Sequence, residues 1–534
     1  MSSLIDSVAS AIADLDSRQV PQRIWQRDHT VWKPDPSEIV DRLGWLTVAG
    51  EMRGRVAELQ AFADEVKGDG YRLVVLLGMG GSSLGALALQ RLFGSADGYP
   101  ELLVLDTTIP DTIAEASQAI DCTKTLFIVA SKSGTTIEPN MLYRHFRAEV
   151  ERELGAADAG QHFAAICDSG TALERLAESQ GFRHVFTNSA DIGGRYSAQS
   201  LFGLVPAALM GIDIAALLDR VVAMGAACAP GIPARDNPGA WLGVFIGTNA
   251  VAGRDKLTVV STPSLDGFGL WVEQLLAEST GKDGSGIVPI AGEPSLDVDA
   301  IGDDRLFVYA RLKGDDTADT DSYIDRVESA GIPAVRLTLE DRHDIGGEFF
   351  RWQFATAVAG SLLGIHPFDQ PDVQSAKDNT ERLLADYHTT GIAPSLDTVG
   401  SLVALINEVR DGDYLAITAF AKPTVELESA IDRLRGKISA ACGVATTFAY
   451  GPRYLHSTGQ LHKGGAANGL FLQLTQLDGA DVTIPGAAFT FGTLAAAQAQ
   501  GDLNALAALG RPVARINLPR DAAQTIFDLA NCLD

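Results

Sequence analysis

Hydrophobic and polar positions divide the chain into stretches of different period. Over residues 1–70 apolar side chains recur at helical spacing, as in Ile39, Val40, Leu43 and Leu46, then Val56, Leu59 and Phe62. This spacing predicts a helical N-terminal segment. From Arg72 the pattern changes to short apolar or β-branched runs at 73–77, 102–105, 126–130, 164–167 and 184–186, separated by helical lengths. Strands alternating with helices in this way predict a parallel sheet covered on both faces. A helical stretch over 197–228 leads into a second set of runs at 257–261, 306–311 and 335–339. A segment broken by Gly391 and Pro394 then precedes a third set at 414–419, 444–449, 482–484 and 513–518. The implied organisation is a helical segment (1–70), two α/β lobes (71–210 and 211–380) and a C-terminal α/β block (381–534).

With 534 residues, 46% hydrophobic and 21% charged, the chain can hold two or three separate cores. Its formal net charge of −26 argues against nucleic acid or an anionic membrane as partner. A small phosphate can still bind, given a local nest of donors. Cys122, Cys167, Cys228, Cys442 and Cys532 have no metal-ligand spacing and fit a reducing compartment. Asp6, Asp14 and Asp16 make the N-terminus unlike an export signal. The apolar stretch 73–93 is interrupted by Gly78, Gly80, Gly81, Ser82 and Ser83, too often for a membrane span. The expected location is the cytoplasm.

The candidate chemistry begins at 128–140. The run 125–130 reads as a buried strand, and four hydroxyls follow within six positions: Ser131, Ser133, Thr135 and Thr136, with Lys132 and Gly134 between them. A helix is expected directly afterwards, with Pro139 at a tolerated early position. A strand, a hydroxyl-rich turn and a helix N-terminus together suit a phosphate dianion. A second turn, with Gly80, Gly81 and Ser82, follows the first strand, and its G-x-G-G spacing is a weak dinucleotide signal. Two such loops on one sheet suit a phosphosugar better, the glycines letting backbone approach the sugar hydroxyls. In the run 193–197, Arg195 follows Gly193 and Gly194, so its side chain can reach a backbone-lined cleft. The run 267–282 predicts a helix with Trp271, Leu275 and Leu276 on its apolar face, ended by Gly281. Glu278 falls in the last turn, where the helix dipole disfavours a carboxylate, as suits a general base.

These runs, G-G-S (80–82), S-K-S-G-T-T (131–136), G-G-R-Y-S (193–197) and E-S-T-G-K (278–282), resemble the phosphoglucose isomerase family in content and order. A fifth, 367–377, resembles the family's closing segment, in which Gln370 and Lys377 match a glutamine and a lysine that reach the sugar. The histidine segment departs from the usual order. In ordinary members it precedes the lysine; here L-H-S-T-G-Q at 455–460, with His456 and Gln460, follows Lys377, and His462 comes two residues later. In this the chain is similar to the isomerase half of fused transaldolase/glucose-6-phosphate isomerase proteins, without a transaldolase half. The resemblance implies two doubly wound parallel-sheet lobes of the sugar-isomerase (SIS) type, with a helical N-terminal segment and an α/β C-terminal extension.

It also implies the reaction: reversible aldose–ketose isomerisation of glucose 6-phosphate and fructose 6-phosphate, through ring opening and a cis-enediol. His456, the histidine that matches the family motif, opens the ring, with His462 as the alternative, assisted by Lys377. Glu278 moves the proton between C2 and C1, and Arg195 stabilises the enediolate. No metal or other cofactor is called for. Because family members take the histidine from a neighbouring subunit, a homodimer is expected, and whether His456 crosses to a partner is left open. A phosphosugar-binding regulatory module without catalysis, or an isomerase that also accepts mannose 6-phosphate, are the alternative readings.

Overall fold

The computed structural model describes residues 2–533, and the side chains from residue 7 onward. Among the described residues, thirteen strands form three wholly parallel sheets. The first contains β1 (Leu73–Leu77), β2 (Glu101–Leu105), β3 (Thr125–Ala130), β4 (Phe163–Asp168) and β5 (His184–Asn188) in the order β2-β1-β3-β4-β5. The second contains β6 (Lys256–Ser261), β7 (Val288–Ala291), β8 (Arg305–Leu312) and β9 (Ala334–Leu339) in the order β7-β6-β8-β9. The third, ordered β11-β10-β12-β13, contains β10 (Tyr414–Phe420), β11 (Ala445–Tyr450), β12 (Gly469–Thr475) and β13 (Val513–Asn517). In every sheet the first strand lies between the second and the third, so the winding reverses beside it. Ligands in such sheets bind outside the carboxyl ends of the strands at that reversal. In the first sheet β1 and β3 are adjacent there, Leu77 lying opposite Val129.

Continuous apolar runs mark strands buried on both faces. Every residue of β3 and β4 is buried, and each fully buried Leu, Val or Phe contributes about 1.5–3 kcal/mol. The N-terminal helices join the largest core: Trp45 stacks on Tyr196, with ring centroids 5.4 Å apart, and the Trp32 indole donates to Ala357 O at 2.7 Å. Two helices, Pro238–Val251 and Asp344–Leu363, pack closely because Gly243 and Gly247 of the first meet Val358 and Ala359 of the second. No helix among the described residues is long and apolar enough to cross a membrane.

Two strands, β7 and β12, were not anticipated from the sequence pattern, and one expected strand is absent. Residues 482–484 form only an isolated bridge, Thr483 to Thr490, although Ile484 is buried against the first sheet's core. A short β-branched run flanked by Gly and Pro resembles a strand whether it pairs or merely plugs a core, and periodicity alone does not separate the two. The centre of the third sheet is instead completed by β12, which pairs with both β10 and β13.

Candidate functional site

The carboxyl ends of β1 and β3 open into a cleft of about 700 Å³. After β3 the chain makes the 131–136 turn and enters the Ile137–Leu154 helix. Thr136 precedes that helix without a side-chain capping bond, and the positive end of the helix dipole faces the turn. Gly134 has φ +69° and packs so tightly that a Cβ would lie 2.7 Å from Leu173 N. Ser133 and Thr136 line the cleft, and the Ser133 and Thr135 hydroxyls are 2.8 Å apart. Lys132 lines the cleft too, paired with Asp168 and donating to Ala190 O at 2.7 Å. A smaller chamber of about 350 Å³ shares Ser133, Thr136, Lys377 and His456 with the cleft and adds Thr135 and Glu138.

Across the cleft the Asp266–Thr280 helix carries Glu278 in its last turn. Arg195, 2% exposed, is fixed beside it. Its Nε donates to Ser279 Oγ at 2.8 Å, Nη1 to Gln370 Oε1 at 2.9 Å, and Nη2 to Pro367 O and Asp369 O at 2.9 Å each. Of the five guanidinium N–H groups one remains, on Nη1, and Glu278 Oε2 lies 3.7 Å from that nitrogen. A charge held this rigidly needs little reorganisation when negative charge develops next to it. Lys282 braces the same loop, its ammonium 2.6 Å from both Asp369 O and Asp369 Oδ1. Burial and the nearby Arg195 charge lower the Lys282 pKa to about 8 against the pull of Asp369.

The His456 segment folds back onto its own chain's cleft. His456 O accepts from Gln274 Nε2 at 2.8 Å, and the same nitrogen is 3.3 Å from Glu278 Oε2. Gln274 lies one turn before Glu278, on the same helix face. The His456 ring meets Glu138, Nε2 to Oε1 at 2.8 Å. Glu138 is 2% exposed. Burial raises its pKa, but the charge and hydrogen bond of His456, a backbone hydrogen bond and the Lys377 charge together bring it below the ordinary carboxylate value. An ionised carboxylate only accepts, so Nε2 carries a hydrogen and Nδ1 is the nitrogen whose proton can come and go. Gln498 Nε2 donates to the same Glu138 oxygen at 2.7 Å. Lys377, on the Gln374–Thr390 helix, lines both chambers.

Thus Arg195, Glu278, Gln370, Lys377, His456, Gly80, Gly81, Ser82, Gly194, Lys132, Ser133 and Thr136 all border the cleft, with Thr135 in the adjoining chamber. Two expected contact residues are elsewhere. Ser131 is 2% exposed and spends its hydroxyl inside the turn, accepting from Gly134 N at 3.1 Å and donating to Thr136 Oγ1 at 3.2 Å. Gln460 is fully buried, donating to Gly281 O at 2.9 Å and to Asp372 Oδ2, while its Oε1 accepts from Asp372 N at 2.9 Å. Both shape the walls without reaching the cavity.

His462 is likewise 3% exposed, its Nδ1 3.0 Å from Tyr414 Oη. Burial, then the charges of Lys463 and Arg511, push its pKa down to about 3, so it packs as a neutral ring. The glycines of the first turn also do something other than expected. At Gly80 (φ +52°) a Cβ would lie 2.5 Å from His456 O and 2.9 Å from Gln274 Nε2, and at Gly81 it would overlap the Gly194 backbone. Their smallness admits the histidine segment and the Arg195 turn as well as any ligand. Asp106, just beyond the end of β2, takes a two-pronged bond from Arg453 at 2.6 and 2.8 Å.

Glu138, Gln274 and Gln498 were missed from sequence. Glu138 sits in a helix's first turn, where carboxylates are common for dipole reasons alone. Gln274 was open to discovery from its i−4 spacing to Glu278. Gln498 lies 360 residues from its partner and left no local signal.

Parallel sheets, with a hydroxyl-rich turn lining a cleft at the strands' carboxyl ends, define an α/β protein with a candidate site for a small anionic ligand. The family model described as phosphoglucose isomerase matches residues 47–286. A glucose-6-phosphate isomerase of Symbiobacterium thermophilum is 31% identical over 391 residues, covering 64% of this chain and 86% of the relative. One from Parabacteroides distasonis is 27% identical over 394 residues, 64% of this chain and 87% of that one. Among solved structures, a hypothetical protein from Thermus thermophilus superposes with a TM-score of 0.63 at 22% identity, over 72% of this chain and 98% of that one. A glucose-6-phosphate isomerase from Chlamydia trachomatis gives 0.56 at 19% identity, over 69% and 78%. These two structures speak to the fold alone. The chain belongs to the phosphoglucose isomerase family.

Proposed function

We propose that the chain is a glucose-6-phosphate isomerase, interconverting glucose 6-phosphate and fructose 6-phosphate. The observation that carries this reading is that Glu278, Arg195, His456 and Lys377 line one cleft beside the 131–136 turn. The turn and the helix N-terminus take the phosphate, leaving the sugar to extend toward Glu278. His456, through Nδ1 and with Glu138 behind it, and Lys377 exchange protons at O1 and the ring oxygen to open the pyranose. Glu278 then removes the proton from C2 and returns it to C1, a task that contributes roughly 10²–10⁴-fold for a positioned base. Negative charge on the enediolate oxygen faces the one uncommitted N–H of Arg195. Anchoring the far end of the substrate fixes C1 and C2 against the base.

A homodimer is the assembly that the family resemblance implies. The test of the function is production of glucose 6-phosphate from fructose 6-phosphate, read through a coupled dehydrogenase. Turnover lost in Glu278→Gln is the expected result. Tight hexose-phosphate binding without turnover in the unaltered protein would instead establish a regulatory module.

A further inference from the structure

We propose that the active site is completed in cis: the third sheet supplies His456 to the Glu278 of the same chain, and no second subunit contributes to catalysis. This rests on the isomerase reading above and concerns where its histidine comes from.

Five residue pairs on different elements fix the arrangement. The His456 carbonyl is tied to Gln274 of the Glu278 helix at 2.8 Å, and its ring to Glu138 of the helix behind the phosphate turn at 2.8 Å. Three residues upstream, Arg453 grips Asp106 of the first sheet with two bonds. Gln498, on the Phe491–Ala508 helix, accepts from Thr108 Oγ1 at 2.7 Å and donates to Glu138 at 2.7 Å.

The block that carries these residues is no loose arm able to exchange between copies. Phe491, Leu494 and Ala497 share a buried cluster with Phe127 and Phe146 of the first sheet's core. On the other side Tyr414, Leu461 and Phe471 are buried with Ala277, Val288 and Ile290 of the second. Polar contacts flank both seams: the Lys422 ammonium pairs with Glu115 at 2.8 Å, and that of Lys256 donates to Gly412 O. The Lys377 helix also rests on this block, Thr380 packing against Gly501. Withdrawing His456 to reach a neighbour would expose both apolar seams and strand Glu138 as a buried, unpaired charge, a strongly unfavourable exchange.

The test uses two full-length variants carrying different affinity tags, Glu278→Gln and His456→Asn, co-expressed and purified through both tags in turn. In a shared-site dimer the mixed species keeps one intact site of two, roughly half of the unaltered activity per dimer. The proposal expects no restoration, the mixed species remaining at the level of the two parents. Recovery to roughly half would overturn it. If no mixed species forms, the unaltered protein is assayed during dilution with its mass followed. Constant turnover per chain in the monomer supports the proposal, and loss of turnover on dissociation overturns it. An unaltered protein with no isomerase activity would overturn the functional reading instead, a distinguishable result.

Discussion

Replacing Glu138 by Gln isolates one electrostatic contact at the site. Oε1 of Glu138 accepts from both His456 and Gln498, whereas Oε2 is buried without a hydrogen-bond partner. The amide keeps an oxygen for the first two bonds and exchanges one unsatisfied buried atom for another, so little stability should change. What disappears is the negative charge that holds the histidine when it is protonated during ring opening. A hydrogen bond to a charged group is worth about 1.5–3 kcal/mol against about 0.5–1.5 for a neutral one. The difference, about 1–1.5 kcal/mol, corresponds to a fall in kcat of roughly 5- to 13-fold. The coupled assay with fructose 6-phosphate measures it, alongside thermal unfolding of the same preparation. A kcat within twofold of the unaltered protein at an unchanged Tm would refute the reasoning, because the charge would then be unused. A fall in kcat accompanied by a large loss of Tm would refute it differently, by making Glu138 a folding residue.

Other substitutions test neighbouring parts of the account. Glu278→Gln should lower kcat roughly 10²–10⁴-fold with little change in KM, as for removal of a general base. Gly80→Ala places a Cβ 2.5 Å from His456 O at φ +52°, and a fall in kcat/KM of about 10-fold or more should follow from the shifted histidine segment. For His462 the folded pKa is about 3 against an ordinary 6.5. Between those values the unfolded chain holds a proton that the native one lacks, so stability falls as pH drops through that window; His462→Gln should flatten the slope of Tm against pH there. Glu273 acts in the opposite sense. Burial raises its pKa from 4.5 to about 8, so its native proton is a source of stability that is lost as pH rises from 4.5 toward 8. Glu273→Gln should flatten that fall and leave a higher Tm at pH 8–9.

Much of the architecture was readable because parallel strands buried on both faces leave continuous apolar runs, as β1, β3 and β8 do. Where the run is short, as in β7, or follows a glycine-rich stretch, as in β12, that signal fades. The 482–484 run shows the opposite error: its apolar residues are buried, but by a core rather than a ladder. At the site, residues in compact local motifs were legible, since Arg195, Glu278 and the 131–136 turn each bring their own strand-end or helix-end context. Residues whose role depends on a distant partner were not. Ser131 and Gln460 stand inside matching motifs yet turn into the protein, and only the packing decides that. His456 and His462 share one short segment. What separates them is burial beside Tyr414, Lys463 and Arg511, a tertiary fact with no trace in spacing.

The central claim is that Glu278 carries a proton between C2 and C1 of a hexose phosphate. Its most direct test is conversion of fructose 6-phosphate in D₂O, with the glucose 6-phosphate formed analysed by NMR. The account predicts glucose 6-phosphate from the unaltered protein, and no product above background from Glu278→Gln. Any deuterium at C2 marks exchange of the proton held on Glu278 with solvent, and a Glu278→Gln variant that retains its turnover would contradict the account.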